Sequence, residues 1–193
     1  MRKKVILNYL IASDVALSAG FSVISPIFSI FILDNITGGN LKVVGFAAAI
    51  FIAVRGILQI PVGRFLDKIR GNRDEYVFLI TAFIILAVSP ILYLIVRTPL
   101  ELYLVQLLYA IGYAMNYPAW TSLFTRHIEK GAEGHSWATY STAVDFGGAA
   151  AAAVSGIIAE KFGFPPIVWI TLVLNIIGLV AILKLYPHFR SEA

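Results

Sequence analysis

The sequence predicts an all-α integral membrane protein: six transmembrane helices, arranged as two inverted three-helix repeats in a single bundle spanning residues 1–193. Three observations predict it. The chain is 59% hydrophobic and 13% charged, with a mean hydropathy of +0.84, whereas soluble domains are nearer half apolar and a quarter charged. Six apolar runs of about 20 residues or more follow one another, joined by short connections rich in turn residues. The first three runs also share spaced residues with the last three.

The first predicted span is Ile6–Leu33, directly after the basic cluster Arg2-Lys3-Lys4. Its apolar stretch is much longer than the core of a signal peptide and Asp14 interrupts it early, so it reads as a retained span. The second, Lys42–Leu66, follows the turn Thr37-Gly38-Gly39-Asn40, and a charged loop at about 67–75 leads to the third, Tyr76–Val96. Arg97-Thr98-Pro99 opens the fourth, Pro99–Thr125; Gly131-Ala132-Glu133-Gly134 precedes the fifth, Ser136–Glu160; Gly163-Phe164-Pro165-Pro166 precedes the sixth, Pro165–Tyr186. Repeat 1 thus covers about 6–96 and repeat 2 about 99–186.

Six crossings put both termini on one side, and the basic residues choose it. Arg2, Lys3, Lys4, Arg64, Lys68, Arg70, Arg73, Arg126, Lys130, Lys184 and Arg190 fall on the N-terminal side, while Lys42, Arg97 and Lys161 fall opposite. Cytoplasmic loops carry the excess of Lys and Arg, so both termini are expected in the cytoplasm, in a multi-pass protein of the plasma or inner membrane. The net charge of +4 is then topology rather than a nucleic-acid surface. The chain has no cysteine, which excludes disulfides, thiolate metal sites and cysteine nucleophiles.

The repeat is visible residue by residue. Gly20, Phe21, Pro26, Phe28 and Ser29 correspond to Gly112, Tyr113, Pro118, Trp120 and Thr121, an offset of 92; Gly63, Asp67 and Lys68 correspond to Gly156, Glu160 and Lys161, an offset of 93. Leu79-Ile80-Thr81 and Trp169-Ile170-Thr171 align at 90. Three is an odd number of crossings, so the second copy traverses the membrane upside down, an arrangement frequent in secondary transporters.

With these residues in place, the chain resembles one half of a major facilitator superfamily transporter. That family carries a Gly-x-x-x-Asp-Arg/Lys-x-Gly-Arg/Lys pattern between its second and third spans. Gly63, Asp67 and Lys68 match in register, and Gly71 and Arg73 follow one place late, with Arg70 where the second glycine is expected. The resemblance implies that this region packs against another half and latches the outward-open state. Gly63 would allow close helix approach, and Asp67 would be an anion with Arg126 as its partner. Family members that exchange drugs for protons carry an arginine where this chain has Leu108, and a Gly-Pro pair in the fifth span where it has Gly147-Gly148; these departures argue against that branch. The family normally has twelve spans. A six-span chain with both ends inside can supply both halves as a parallel homodimer, or it can pair with a second six-helix half.

Ionisable residues inside a span are costly and mark function by default. Asp14, Arg55 and Asp145 are the three here. At 1.5 Å per residue they lie roughly 12, 16 and 14 Å from the cytoplasmic helix ends, with Asn116 at roughly 14 Å. Four helices therefore bring polar groups to one layer near the midplane, where this class of transporter binds its substrate. Asp14, Ser18, Ser22, Ser25 and Ser29 form a polar stripe on the first span; Gln106, Tyr109, Tyr113, Asn116 and Trp120 form one on the fourth. Arg55 and Asp145 are expected to neutralise each other, within the chain or across a dimer seam. Gly148, Ala149, Ala152 and Gly156 lie near the face of Asp145 and would permit close helix packing. Asp14 has no assigned partner and is a candidate proton carrier.

His127, His135 and His188 show no His-Glu-x-x-His spacing, and neither a Gly-x-Ser-x-Gly elbow nor a phosphate-binding glycine loop occurs. The expectation is a transporter rather than an enzyme, with no cofactor and no metal site. Its partners would be the lipid bilayer, a second half, an unidentified small solute and a coupling proton. The alternative is a non-transporting membrane subunit or a truncated relic of a twelve-helix transporter.

Overall fold

A computed structural model describes residues 2–68 and 72–189, all of it helical apart from turns. Among these residues are seven helices and a final helical turn: α1 (Arg2–Ile24), α2 (Phe28–Asn35), α3 (Leu41–Lys68), α4 (Arg73–Leu92), α5 (Pro99–His127), α6 (Glu133–Phe162), α7 (Pro165–Leu183) and α8 (Tyr186–Phe189).

Local chemistry sets these boundaries. Asn40 Oδ1 accepts from the N–H groups of Lys42 and Val43, at 2.9 and 3.1 Å, and so caps α3. Thr98 and Glu101 form a reciprocal capping box at the start of α5, followed by Pro99 at the first helical position. Gly163, at φ 75°, ends α6 in a conformation that a side chain disfavours, and two prolines then start α7. The first expected span is divided: Pro26 has no N–H to donate, and the chain turns between Ile24 and Phe28 before α2 resumes.

Five helices are long and apolar enough to cross a membrane: α1 from Lys3, α3, α4, α6 and α7. At 29 residues α5 is longer than all of these except α6, but its tyrosines, Gln106 and Asn116 make it more polar. Its burial explains that composition. α5 packs along α3 and along α4, and it also touches α1. α4 continues to α7, α7 to α1, and α1 to α6. Within the most apolar window of each helix, 50% of α4 is buried, 17% of α3 and 6% of α6. Both α3 and α6 therefore present long faces that no other helix of the chain covers.

Close approach at Gly178 ties α1, α4 and α7 together. A Cβ there would overlap the Phe83 ring and lie 3.0 Å from the Ser13 carbonyl oxygen. Around it, Asn175 Nδ2 donates to the Leu86 carbonyl at 2.7 Å, and the single Thr171 hydroxyl proton is shared between the Ile167 carbonyl of its own helix, at 2.9 Å, and the Gly20 carbonyl, at 3.2 Å. Interhelical bonds of this kind and small residues hold helices together where lipid offers no hydrophobic gain. Of the small residues expected on the Asp145 face, Gly148 meets Ser22 of α1, whereas Gly156 has open space beside it.

Candidate functional site

Asp14 sits in the middle of α1 and is only 9% exposed. The Tyr140 hydroxyl of α6 donates to its Oδ2 at 2.7 Å, and Ser18 and Asn116 lie within hydrogen-bonding reach of the same carboxyl. The acid thus joins α1, α5 and α6. Trp120 lies just behind it: its ring packs on Tyr140 at 4.5 Å and on Phe124 at 4.6 Å, and its indole N–H donates to the Leu10 carbonyl at 2.9 Å. Trp120 is buried and its one donor is used, so it backs the polar layer instead of lining it as the sequence suggested.

Toward the end of the bundle away from Arg126, a cavity of about 390 Å³ opens between α1, α2, α3 and α5. Phe21, Ser25, Phe28, Ser29, Phe51, Arg55, Gln106 and Tyr109 contribute to its lining. The Arg55 guanidinium stands over the Phe51 ring at 5.3 Å, a cation–π arrangement. The Tyr113 ring contacts Phe51, Phe21 and Tyr109 at 5.5, 5.8 and 5.2 Å. The hydroxyls of Tyr109 and Tyr113 and Oδ1 of Asn116 are buried without a well-formed hydrogen bond.

Asp14, Arg55, Gln106, Tyr113 and Asn116 are thus gathered on one wall. Asp145 is not. It is exposed on α6, and since α6 packs along α1 while α3 packs along α5, the two helices lie at opposite ends of the row. Among the described residues no ion pair joins Arg55 to Asp145; the expected neutralisation does not occur within the chain.

At the other end, Gly63, Asp67 and Arg126 line a shallow cleft of about 560 Å³ between α3 and α5. Asp67 is exposed, Lys68 is the last residue of α3 and Arg73 the first of α4. Gly71 and Arg70 lie outside the described residues. A Cβ on Gly63 would meet only Pro118, at an ordinary 3.8 Å, so contacts within this chain do not require a glycine there. The carboxylate that engages Arg126 is Glu75: Arg126 Nη2 lies 2.5 Å from Glu75 Oε1, and Ser122 Oγ donates to the same oxygen at 3.2 Å. Glu75 is 1% exposed.

Sequence reasoning missed two of these residues. Tyr140 belongs to neither polar stripe, and only its distance from Asp14 in space reveals it. Glu75 lies among the charges that open α4, where an acid also favours the positive end of the helix dipole; that local role concealed the long-range one.

No curated protein matches this sequence. Among solved structures, the chain superimposes on the POT family transporter PepTSo, crystallised in meso, with a TM-score of 0.79, 17% identity and coverage of 95% of this chain. At that identity the likeness speaks to the fold, and the chain spans 38% of the length of that transporter. The family model of the Major Facilitator Superfamily matches residues 10–192. The chain therefore belongs to the major facilitator superfamily.

Proposed function

We propose that this chain is one half of a secondary active transporter, moving a small solute across a cell membrane by alternating access. The observation that carries the reading is a set of polar groups gathered between two uncovered helix faces. Asp14, Tyr113, Asn116 and Arg55 come from three different helices, and α3 and α6 beside them offer faces with no partner in the chain. A protein that merely filled a membrane would gain nothing from polar groups at this depth.

The helix partnerships support two inverted repeats of three crossings. Exchanging α1, α3 and α4 with α5, α6 and α7 turns the α3–α5 contact into α6–α1, and α1–α7 into α5–α4, while α4–α7 and α1–α5 map onto themselves. A second copy in the same orientation, as a parallel homodimer, or another six-helix segment would close the wall. The bias of basic residues puts both termini in the cytoplasm, with Gly63, Asp67, Lys68, Gly71, Arg73 and Arg126 forming a latch on that side. Asp14, joined to Tyr140, is the proposed proton carrier.

The chain has no cysteine, so single cysteines report access directly. Ser29→Cys, in the cavity, and Thr125→Cys, in the cleft near Arg126, should react with impermeant thiol reagents from opposite sides of the membrane, one slowing as the other quickens when solute is added. Labelling of both from one side at a fixed rate would refute alternating access. Asp14→Asn should abolish uptake driven by a pH gradient, and full retention would remove Asp14 from proton coupling. Crosslinking in native membranes tests the second half; monomer alone, with no partner protein, counts against it.

A further inference from the structure

We infer that the cavity around Arg55 binds a small organic anion, an acidic head group carried on an aromatic or apolar body. The inference deepens the transport reading and rests on it for passage across the membrane, though not for binding.

The cavity's volume of about 390 Å³ lies within the range of small-molecule sites, about 300–1,000 Å³. Phe21, Phe28 and Phe51 supply aromatic walls, and Arg55 is the one charged residue among the lining groups. Stacking on Phe51 occupies a face of the guanidinium. The in-plane N–H fork, which matches a carboxylate or sulfonate bidentately, is not used by stacking. Among the described residues no carboxylate pairs with Arg55. Asp14 does not line the cavity, and its carboxyl accepts from the Tyr140 hydroxyl. Arg55 is therefore the one charge on the cavity wall, and a cation at membrane depth is costly until an anion meets it. Gln106, 5% exposed, is a further polar residue of the lining that can orient a ligand.

The test uses the full chain in detergent with benzoate, benzamide and benzamidine, one planar body with an anionic, a neutral and a cationic head. Benzoate should raise the thermal unfolding midpoint in a saturable way, as any ligand of the native state does, and the other two should not. Arg55→Gln should abolish the shift. Arg55→Lys, which keeps the charge without the fork, should weaken apparent affinity about tenfold. Equal stabilisation by benzamide or benzamidine, or no response to benzoate, overturns the inference; neither result depends on a variant that folds. So does an Arg55→Gln protein that still binds benzoate but loses its dimer, because Arg55 would then belong to a subunit contact. Counterflow of labelled benzenesulfonate into vesicles separates the two readings, since its fixed charge prevents unaided crossing. Arg55-dependent binding without counterflow keeps the site and overturns transport. Counterflow untouched by Arg55→Gln keeps transport and overturns the site.

Discussion

The hydrogen bond between Tyr140 and Asp14 should be measurable as a coupling between α1 and α6. Tyr140→Phe deletes one oxygen and leaves the ring on Trp120 and Phe124, whose centroids lie 4.5 and 5.4 Å away, so packing is held constant. A hydrogen bond to a charged group is worth about 1.5–3 kcal/mol in water-soluble proteins. Interhelical pairs in membranes average about 0.6 kcal/mol and reach about 1.7. The 2.7 Å separation and the burial of Asp14 favour the upper part of the membrane range. Ser18 and Asn116 act against this, since they remain to solvate the carboxyl once the phenol is gone. A coupling of about 1 kcal/mol follows. The assay is a double-mutant cycle with Asp14→Ala, which leaves no side-chain acceptor for the phenol, following unfolding in mixed micelles. Additive losses, within about 0.3 kcal/mol, would show that the pair contributes nothing and that α6 is held to α1 by packing alone.

Three other substitutions test the packing and the charged end. Gly178→Ala places a methyl against the Phe83 ring and the Ser13 carbonyl; overpacking of about 1–3 kcal/mol should outweigh the helix-propensity gain of about 1 and lower the unfolding midpoint. Gly156→Ala, with nothing within 4 Å, should leave that midpoint unchanged or raise it, and the reverse order would discredit the α1–α4–α7 junction. Arg126→Ala strands the buried Glu75 carboxylate and should cost about 2 kcal/mol, below the about 3–5 of a fully buried pair because Arg126 is itself partly exposed. Glu75→Gln, still able to accept from Ser122, should cost less, and equal stability of the two variants in chemical unfolding would deny the pair a structural role. Asp67→Asn at its exposed position should leave folding intact while changing the labelling rate of Ser29→Cys; unchanged labelling and uptake would remove the latch.

What the sequence revealed depended on the range of the interaction behind each feature. Spans showed clearly because apolar length is a property of a contiguous stretch; five of the six expected crossings need nothing more. α5 shows the limit, since its polar residues face neighbouring helices and hydropathy alone undervalues it. Of the polar stripe expected on one span, Asp14, Ser18 and Ser22 fall on α1, while Ser25 and Ser29 lie beyond its end. Partners were not legible. Among the described residues Arg126 engages Glu75 rather than Asp67, and Asp14 engages Tyr140, because pairing depends on how helices distant in sequence rotate against each other. Arg55 and Asp145 shared a calculated depth, yet equal depth says nothing of lateral position, and their helices lie at opposite ends of the row.

The two proposed repeats also differ in a way their helix partnerships conceal. Pro26 and Pro118 stand at the shared offset of 92, yet α1 stops before Pro26 whereas α5 continues through Pro118. Any proline removes one helical hydrogen bond, so surroundings decide the outcome. Pro118 is braced by α3, with Gly63 against it. Ser25 and Pro26 are exposed, and Ser25 borders the open cavity, so nothing holds the helix straight. The same offset of 92 pairs Asp14 with Gln106. Inverted symmetry would put these residues on opposite sides of the midplane, and Gln106 does line the cavity while Asp14 lies beyond it, nearer the Arg126 end. Only one of the two is ionisable. An ancestral symmetry would give both ends of the wall a polar group, and the broken helix and the single acid distinguish them: a cation and an amide beside the broken helix, a shielded carboxyl beneath.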